Sequence, residues 1–415
     1  MNNRNEKLFQ FYRIVGYDYL FSTVILFLFF TITKGLSVGQ VMYLSGFYAI
    51  FLSLFLIPIN FIIQKIGKKN SLLIGNICWI ITCIIYMVAP SFMWFVIAYV
   101  FCAIGTSFKV CEGPFLYDIL KKNNKRDEYS KQEGSAMLKY YITEAITAIF
   151  IGSLFMINNY LPLILTLLTF ILAFATVLFF EDIEEEDDTK ENISEYVKSF
   201  NYILKSKRIM YLFIFSFVFM GIVSCFLSIQ KSIITNLDVT ASEYSIIFAI
   251  ITLSIGIGYK LQPFFEKIVK RKTLTFVSHS FNILLLVLGF LNLIFNNSLI
   301  LLIISITIII LQNTLFGIYK ISIKKYINNF TTHKTRGKIL SVLNIFENIG
   351  QAIFLFLLGY ILDKTSTPIA AILLGLVGFF LIYNVLKKMK TKVGLDAQDY
   401  DSDEILGMKI INKVK

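Results

Sequence analysis

Charged side chains inside apolar stretches are the residues of this sequence best suited to chemistry. Lys109 and Glu112 lie in one apolar run, and Glu144 lies in the next, beyond a basic loop at 121–132. A charge at the centre of a bilayer costs roughly 2.5–3.5 kcal/mol on insertion scales, so its presence needs a reason. A carboxylate that is partly shielded from water can gain and lose a proton as its surroundings change. The pattern therefore predicts residues that bind a proton or a charged ligand within a membrane.

The same spacing recurs 203 positions later in the chain. Gly134 precedes Glu144 by ten residues, and Gly337 precedes Glu347 by ten residues. Two further pairs of segments match at the same offset: 36–40 with 239–243, and 66–69 with 269–272. Three matches in one register indicate two parallel repeats related by an axis along the membrane normal.

The composition excludes a soluble protein. Of the 415 residues, 56% are hydrophobic and 16% are charged, and the mean hydropathy is +0.71. The net charge of +12 is spread over short loops between apolar runs, which argues against a nucleic-acid-binding surface. The five cysteines fall within apolar segments without metal-ligand spacing, so packing is their expected role and no metal site is predicted. The class is an all-α polytopic membrane protein.

Hydropathy predicts twelve transmembrane helices in two six-helix halves. A span needs about 20 apolar residues. The segments that meet this criterion are 11–33, 39–63, 71–91, 93–117, 135–157, 161–181, 209–231, 242–264, 273–295, 298–321, 337–360 and 368–387. They divide the chain into a first bundle at 1–181, a linker at 182–208, a second bundle at 209–388 and a tail at 389–415. Most Lys and Arg lie in alternate loops, which predicts that both termini are cytoplasmic.

The linker begins with a run of acids and continues as an amphipathic pattern from Ser194. A solvated cytoplasmic connection is one interpretation of this segment, and a regulatory partner site is the other.

Twelve helices in two parallel halves, with basic loops after the second and eighth and a long middle loop, resemble the major facilitator superfamily. Locally, the sequence at 112–118 followed by Glu128, Tyr129 and Gly134 is similar to a pattern of bacterial efflux members. The resemblance implies alternating access and proton-coupled efflux of an amphipathic or cationic small molecule. It also implies a monomer in the bacterial cytoplasmic membrane, driven by the proton gradient without a cofactor.

The loop after the second helix departs from the superfamily pattern. Asn60 and Gln64 stand where a glycine and an acid are usual, while the following glycine and two lysines are kept. The resemblance implies a weakened cytoplasmic gate formed by Gln64, Gly67, Lys68, Lys69 and Asp118. Asp118 is expected to anchor this loop to one of the two lysines. The glycine-proline pattern of drug antiporters is missing from the fifth predicted helix, which favours uptake as an alternative to efflux.

Depth within the helices selects the candidates for coupling or substrate binding. Glu144 and Glu347 lie nine or ten residues inside their predicted helices, close to the midplane at about 1.5 Å per residue. Asp18 and Lys109 share a depth and have opposite charges, which predicts an ion pair. Glu112 is three residues from Lys109 and can pair with it on one helix face. That second pair is either functional or structural.

Further polar and aromatic residues complete the expected site. The predicted cavity-lining residues are Tyr17, Tyr140, Asn344, Asn348, Gln351 and Lys260. Lys260 either lines the cavity or reaches the cytosolic face. Three functions remain open from the sequence: efflux, uptake or facilitated exchange of a metabolite, and a non-transporting membrane sensor. An ATP-binding loop, a metal cluster and a catalytic triad are not visible in the sequence, so an enzyme is not expected.

Overall fold

The computed structural model describes residues 4–125, 128–181, 200–201, 203–269, 272–295, 297–329, 331 and 336–393. The chain divides into two compact units: Met1–Glu191 with Thr240–Ala249, and Asn192–Val239 with Ile250–Lys415. Within the described residues the elements are helices, and no strand occurs. Residues 182–199 of the predicted linker (182–208) and residues 394–415 of the predicted tail (389–415) lie outside these residues.

Eight α-helices occur among the described residues before the linker. They are α1 (Arg4–Gly16), α2 (Leu26–Leu28), α3 (Val38–Ile66), α4 (Lys68–Val88), α5 (Phe92–Lys109), α6 (Glu112–Lys122), α7 (Tyr129–Ile157) and α8 (Leu161–Leu178). A π-helical turn at Phe29–Thr33 follows α2 directly.

Six long helices lie between Lys207 and Val393 in the described part of the chain. They are α9 (Lys207–Thr235), α10 (Ala241–Val269), α11 (Thr273–Ile294), α12 (Leu299–Asn329), α13 (Arg336–Leu362) and α14 (Thr367–Val393). Several run past their predicted ends, because hydropathy marks only the apolar part of a helix that continues into a polar end. α12 was expected to end at 321, for example, and α10 at 264.

Eleven stretches of the described chain are long and apolar enough to span a membrane. The first predicted span, 11–33, is not one of them, because α1 ends at Gly16 and helix resumes only at Leu26. The expectation of twelve continuous spanning helices is therefore not met at this segment. The fourth predicted span is also interrupted, by a turn at Val110 and Cys111 between α5 and α6. The sidedness of the termini remains a prediction.

The break after α1 has a local cause in Asp18. Its Oδ1 accepts a hydrogen bond from the Tyr19 amide at 2.8 Å, and its carbonyl accepts one from the Leu20 amide at 2.8 Å. These short-range bonds occupy amides that would otherwise continue the helical ladder. Apolar residues of α1, including Phe9 and Tyr12, join the buried core of the first unit and fix the helix that leads into the break.

The second unit is built around α9, the most buried of the candidate spans. α9 and α13 cross closely at two glycines. A Cβ atom added to Gly350 would lie 2.4 Å from the Phe217 carbonyl oxygen. A Cβ added to Gly221 would lie 2.5 Å from the Phe354 ring. Glycine at both positions therefore allows the two backbones to approach, and this crossing lies one turn from Glu347.

Candidate functional site

A buried charge network lies where α1, α6 and α7 meet. Arg13 forms ion pairs with Glu112 and with Glu133, one through each terminal nitrogen of its guanidinium group. The Tyr12 hydroxyl donates a hydrogen bond to the second oxygen of Glu112 at 2.9 Å. The Glu112 carboxylate, 5% exposed, therefore has partners on both oxygens. Buried charges persist when they are paired and hydrogen-bonded, and the Glu112 carboxylate meets that condition.

Lys109 completes the network from the end of α5. Its ammonium lies 3.4 Å from Glu112 Oε1 and 3.6 Å from the centre of the Trp79 ring, and it donates to the Gly16 carbonyl. The last carbonyls of a helix lack intrahelical donors, so this lysine caps α1 at its break. Gly75 makes room for it, since a Cβ there would lie 2.8 Å from the lysine Cγ atom. The predicted Lys109–Glu112 pair is present.

The predicted ion pair between Asp18 and Lys109 is not formed. Lys109 is turned toward Glu112 and the Gly16 carbonyl, and Asp18 instead accepts the Tyr19 amide. The lysine remains an electrostatic neighbour of Asp18. The physical reason for the difference is the end of α1 at Gly16, which leaves a bare carbonyl closer to the lysine than the carboxylate is.

Asp18 and Glu144 face a cluster of tyrosines. The two carboxylates are electrostatic neighbours, and both are partly shielded from solvent. The Tyr17 and Tyr140 rings meet edge to face with centroids 4.7 Å apart, and Tyr141 packs on Tyr140 at 5.4 Å. We call these five residues the acid–tyrosine cluster. Four of its members were predicted from the sequence, two as coupling acids and two as cavity aromatics, and the fold brings them together.

Glu347 lies in a different environment, within the second unit. It is 7% exposed, and its Oε1 accepts a hydrogen bond from Ser216 of α9. The Ser216 and Tyr319 hydroxyl groups are 2.6 Å apart, and the ammonium of Lys320 is an electrostatic neighbour of the carboxylate. Glu347 is therefore enclosed by hydrogen-bonding groups from α9 and α12, whereas Glu144 is only partly buried.

The remaining predicted cavity residues are less closely organised. Gln351 Nε2 lies 3.4 Å from Asn348 Oδ1, one turn apart on α13. Asn344 is exposed on the same helix, and Lys260 is exposed on α10. The structure does not bring these residues into the acid–tyrosine cluster.

The predicted gate residues lie around the junction of α3 and α4. Gly67 joins the two helices with a φ of 83°, a left-handed conformation that favours glycine. Lys68 forms an ion pair with Asp118, as the sequence suggested for this acid. Lys69 donates to the Phe180 carbonyl at 2.6 Å, while Gln64 is exposed on α3. This junction is thereby tied to both α6 and the end of α8.

No arrangement for a transition metal is apparent in the described part of the chain. Three or more His, Cys, Asp or Glu side chains do not converge anywhere among those residues. The chemistry available at the acid–tyrosine cluster is the binding of a cation or a proton by oxygen atoms.

A sequence profile of the Major Facilitator Superfamily matches residues 14–323. The chain belongs to this superfamily. The match runs from the first helix into α12, and so covers most of the first predicted half and part of the second. Members of the superfamily are transporters, and the chain is therefore a membrane transporter and not an enzyme.

Solved transporters share the fold of this superfamily member. The nucleoside transporter NupG is similar with a TM-score of 0.78 and 11% identity, over 94% of this chain and 100% of that chain. A POT family transporter in complex with 5-aminolevulinic acid has a TM-score of 0.67 and 14% identity, over 92% of this chain and 95% of that chain. A bacterial homologue of the human lysosomal transporter Spinster has a TM-score of 0.65 and 15% identity, over 99% of this chain and 96% of that chain. No curated protein matches the sequence.

Several residues around the buried acids Glu112 and Glu347 of this transporter were not predicted from sequence. These residues are Arg13, Glu133, Ser216, Tyr319 and Lys320. Arg13 and Lys320 lie near the ends of predicted spans, where a basic residue is ordinary and attracts no notice. Ser216 stands 203 positions after Arg13, so the repeat offset contained a signal for it.

Proposed function

We propose that this transporter exports an amphipathic or cationic small molecule in exchange for protons, by alternating access. The proposed setting is the cytoplasmic membrane of a bacterium, and the proposed working unit is a monomer. The observation that supports the proposal is the acid–tyrosine cluster, in which Asp18 and Glu144 are electrostatic neighbours and the Tyr17 and Tyr140 rings meet edge to face. Paired acids that are partly shielded from water suit the reversible binding of a proton or a cation.

Proteoliposomes with an imposed pH gradient test this proposal. Ethidium serves as an amphipathic cationic probe, and its movement is followed by fluorescence while the gradient is reversed. Antiport predicts that the probe accumulates on the acidic side of the membrane. We expect Glu144→Gln to abolish gradient-driven movement of the probe, because the variant cannot take up and release a proton at that position.

Glu128→Gln provides the matched control. Glu128 precedes the same helix, α7, and lies outside the acid–tyrosine cluster, so its loss is expected to leave transport intact. Glu347→Gln is measured in parallel, because both repeats were predicted to take part in coupling. Unchanged transport in both Glu144→Gln and Glu347→Gln would refute the coupling role of these acids.

Uptake or facilitated exchange of a metabolite is the second candidate. It is favoured by the absence of the glycine-proline pattern of drug antiporters from 140–155. A nucleoside provides a probe for this candidate, as NupG is a nucleoside transporter. Proton-coupled uptake predicts that labelled uridine accumulates on the alkaline side of the membrane. Facilitated exchange predicts that labelled uridine equilibrates across the membrane without a pH gradient.

A further inference from the structure

Helix α13 is exposed on two opposite sides, and the two sides differ in chemistry. Successive residues of an α-helix turn by about 100° around its axis. Asn344, Asn348 and Gln351 therefore lie within one arc of about 60°, and each is at least partly exposed. We call these three residues the amide face. The opposite arc, which we call the apolar arc, holds three exposed aliphatic side chains: Ile349, Ile353 and Leu357.

The side of α13 between these two arcs is packed against α9. A Cβ atom added to Gly350 would lie 2.4 Å from the Phe217 carbonyl oxygen of α9. On the same side, Glu347 accepts a hydrogen bond from Ser216 of α9. This close contact fixes the rotation of α13 about its own axis. The amide face and the apolar arc are therefore held on opposite sides of the helix.

The amide face lies deep within a candidate membrane span. The span runs from Lys338 to Leu362 over 25 residues, and Asn348 and Gln351 lie well inside it. At about 1.5 Å per residue, both amides are near its middle. Their side chains are too short to reach the lipid headgroups, and an amide that faces hydrocarbon without a partner costs free energy. The amide face therefore suits contact with water or a dissolved ligand, whereas the apolar arc suits contact with lipid.

The amide face has hydrogen-bonding groups left over. Gln351 Nε2 lies 3.4 Å from Asn348 Oδ1, a long contact that places the two amides side by side. A side-chain amide contains one acceptor oxygen and two N–H donors. Within the described part of the chain, Asn348 Nδ2, Gln351 Oε1 and the Asn344 side chain form no hydrogen bond. A donor and an acceptor thus stand next to each other on the exposed side of the helix.

We propose that the amide face binds the substrate of this transporter through a neutral group in which a hydrogen-bond donor stands beside an acceptor. A carboxamide, a lactam and the edge of a nucleobase share this arrangement. Each can pair with Asn348 Nδ2 and Gln351 Oε1 at the same time. A few polar groups placed in this way fix the orientation of a ligand and give a site its specificity.

The surroundings of the amide face argue against a charged group at this place. Glu347, the acid nearest to it along the helix, lies on the packed side and is 7% exposed. A charged group that leaves water needs an opposite charge, and the amide face contains none. Acyl chains of lipids offer no hydrogen bonds to the three amides. The group that this face recognises is therefore polar and uncharged.

This inference deepens the proposed function and rests on it only in assuming that the protein carries a small molecule. The proposed function assigns coupling to acids of the first unit and leaves recognition of the substrate open. The amide face adds recognition by the second unit. Exposure of this face to water and binding of a ligand to it require no pH gradient, so the two ideas are tested separately.

Cysteine accessibility in proteoliposomes tests whether the amide face meets water. Asn348→Cys is compared with Ile349→Cys, its neighbour at nearly the same depth on the apolar arc. A charged, water-soluble methanethiosulfonate reagent is added, and modification of the full-length protein is followed by mass spectrometry. We expect Asn348→Cys to react at least about tenfold faster, because the reactive thiolate forms in water and not in lipid. The five native cysteines are buried, so the unsubstituted protein gives the background rate.

Protection by solutes tests the class of ligand. The reporter is Asn344→Cys, which leaves Asn348 and Gln351 intact. Uridine has the donor and acceptor on a ring edge, nicotinamide has them on a carboxamide, and 3-methyluridine lacks the donor. We expect uridine or nicotinamide to slow modification several-fold and 3-methyluridine to have little effect, with protection lost on addition of Asn348→Leu. Asn384→Leu is the matched control, since that amide already donates to the Phe380 carbonyl at 2.8 Å.

The outcomes separate the inference from the proposed function. Equal reaction rates of Asn348→Cys and Ile349→Cys overturn the aqueous amide face. Protection by neither uridine nor nicotinamide, equal protection by uridine and 3-methyluridine, or protection that survives Asn348→Leu overturns the ligand class. Faster modification of Asn348→Cys, together with protection that Asn348→Leu removes, supports the proposal. That result stands even if ethidium fails to move and the proposed export is thereby refuted.

Discussion

Replacing Glu112 with glutamine tests whether the buried charge network holds the first helix in place. The carboxylate pairs with Arg13, accepts the Tyr12 hydroxyl at 2.9 Å and lies 3.4 Å from Lys109. Glutamine keeps the volume and can still accept a hydrogen bond, but the negative charge is lost. Arg13 then still has Glu133 as a partner. Lys109 is left with a carbonyl group and an aromatic ring, and with no carboxylate in contact.

The expected cost follows from this loss of a counter-charge. Removal of one partner from a buried ion pair destabilises a protein by roughly 3–5 kcal/mol. Polar contacts in membrane proteins are weaker, because unfolded helices within the membrane find other partners. We therefore expect the low end of that range, a loss of about 3 kcal/mol in the free energy of unfolding. Unfolding in mixed micelles of increasing dodecyl sulfate content, followed by tryptophan fluorescence, measures this free energy.

Asp118→Asn on the same helix is the matched control. The Asp118–Lys68 pair is partly exposed, and exposed pairs contribute about 0–1 kcal/mol. A loss in Glu112→Gln no larger than the loss in Asp118→Asn would refute the reasoning. The double variant Lys109→Met with Glu112→Gln is expected to recover part of the stability, because it removes the cation that lost its partner.

Two further predictions concern packing and capping. Gly350→Ala should cost about 1–3 kcal/mol in the same unfolding assay, since the new Cβ would lie 2.4 Å from the Phe217 carbonyl oxygen. Gly134→Ala should instead stabilise the protein by up to about 1 kcal/mol, because a Cβ atom at this helical position would meet no neighbouring atom within 4 Å. Equal effects of the Gly350 and Gly134 substitutions on the free energy of unfolding would contradict the close crossing. Ser37→Ala should cost about 1 kcal/mol and speed hydrogen exchange of the Gln40 amide, because the capping box of α3 is lost. Unchanged exchange at that amide would argue against the cap.

Helical segments are the part of this structure that sequence predicts best. Eleven of the predicted spans correspond to stretches long and apolar enough to cross a membrane, because lipid leaves few alternatives to a helix. The exception is the segment 11–33, whose apolar composition is like that of the others. Its break depends on the side chain of Asp18 and on Lys109, which lies 91 positions away in sequence. Hydropathy averages over a window and cannot register such a contact.

The candidate site was predictable in its acids and in two of its tyrosines, but not in its contacts. Glu144 and Asp18 were identifiable because a carboxylate in an apolar run is rare and expensive. The partners that distinguish their roles come from other helices, and a single sequence contains no information on which helices pack together. The ion pair predicted between Asp18 and Lys109 shows this limit. The lysine is an electrostatic neighbour of Asp18, but it pairs with Glu112 and donates to a bare carbonyl instead.

The repeat offset gives the comparison of the two acids a physical basis. At the offset of 203, Glu144 matches Glu347 in sequence, and Asp18 matches Gly221. In the second unit α9 continues through Gly221 and crosses α13 closely, and Glu347 accepts a hydrogen bond from Ser216 of α9. In the first unit α1 stops at Gly16, and Asp18 lies in the interrupted stretch that follows.

This difference argues for unequal roles of the two acids within one transporter. A carboxylate enclosed by hydrogen-bond donors is already satisfied, and a ligand gains little by displacing those donors. Glu144 is only partly buried and has Asp18 as an electrostatic neighbour, so binding of a proton or a cation would reduce the repulsion between two acids. We therefore expect coupling to be centred on the first unit, with Glu347 serving chiefly to hold α9 against α13. Equal loss of gradient-driven transport in Glu144→Gln and Glu347→Gln, with the stability of both variants unchanged, would contradict this division of roles.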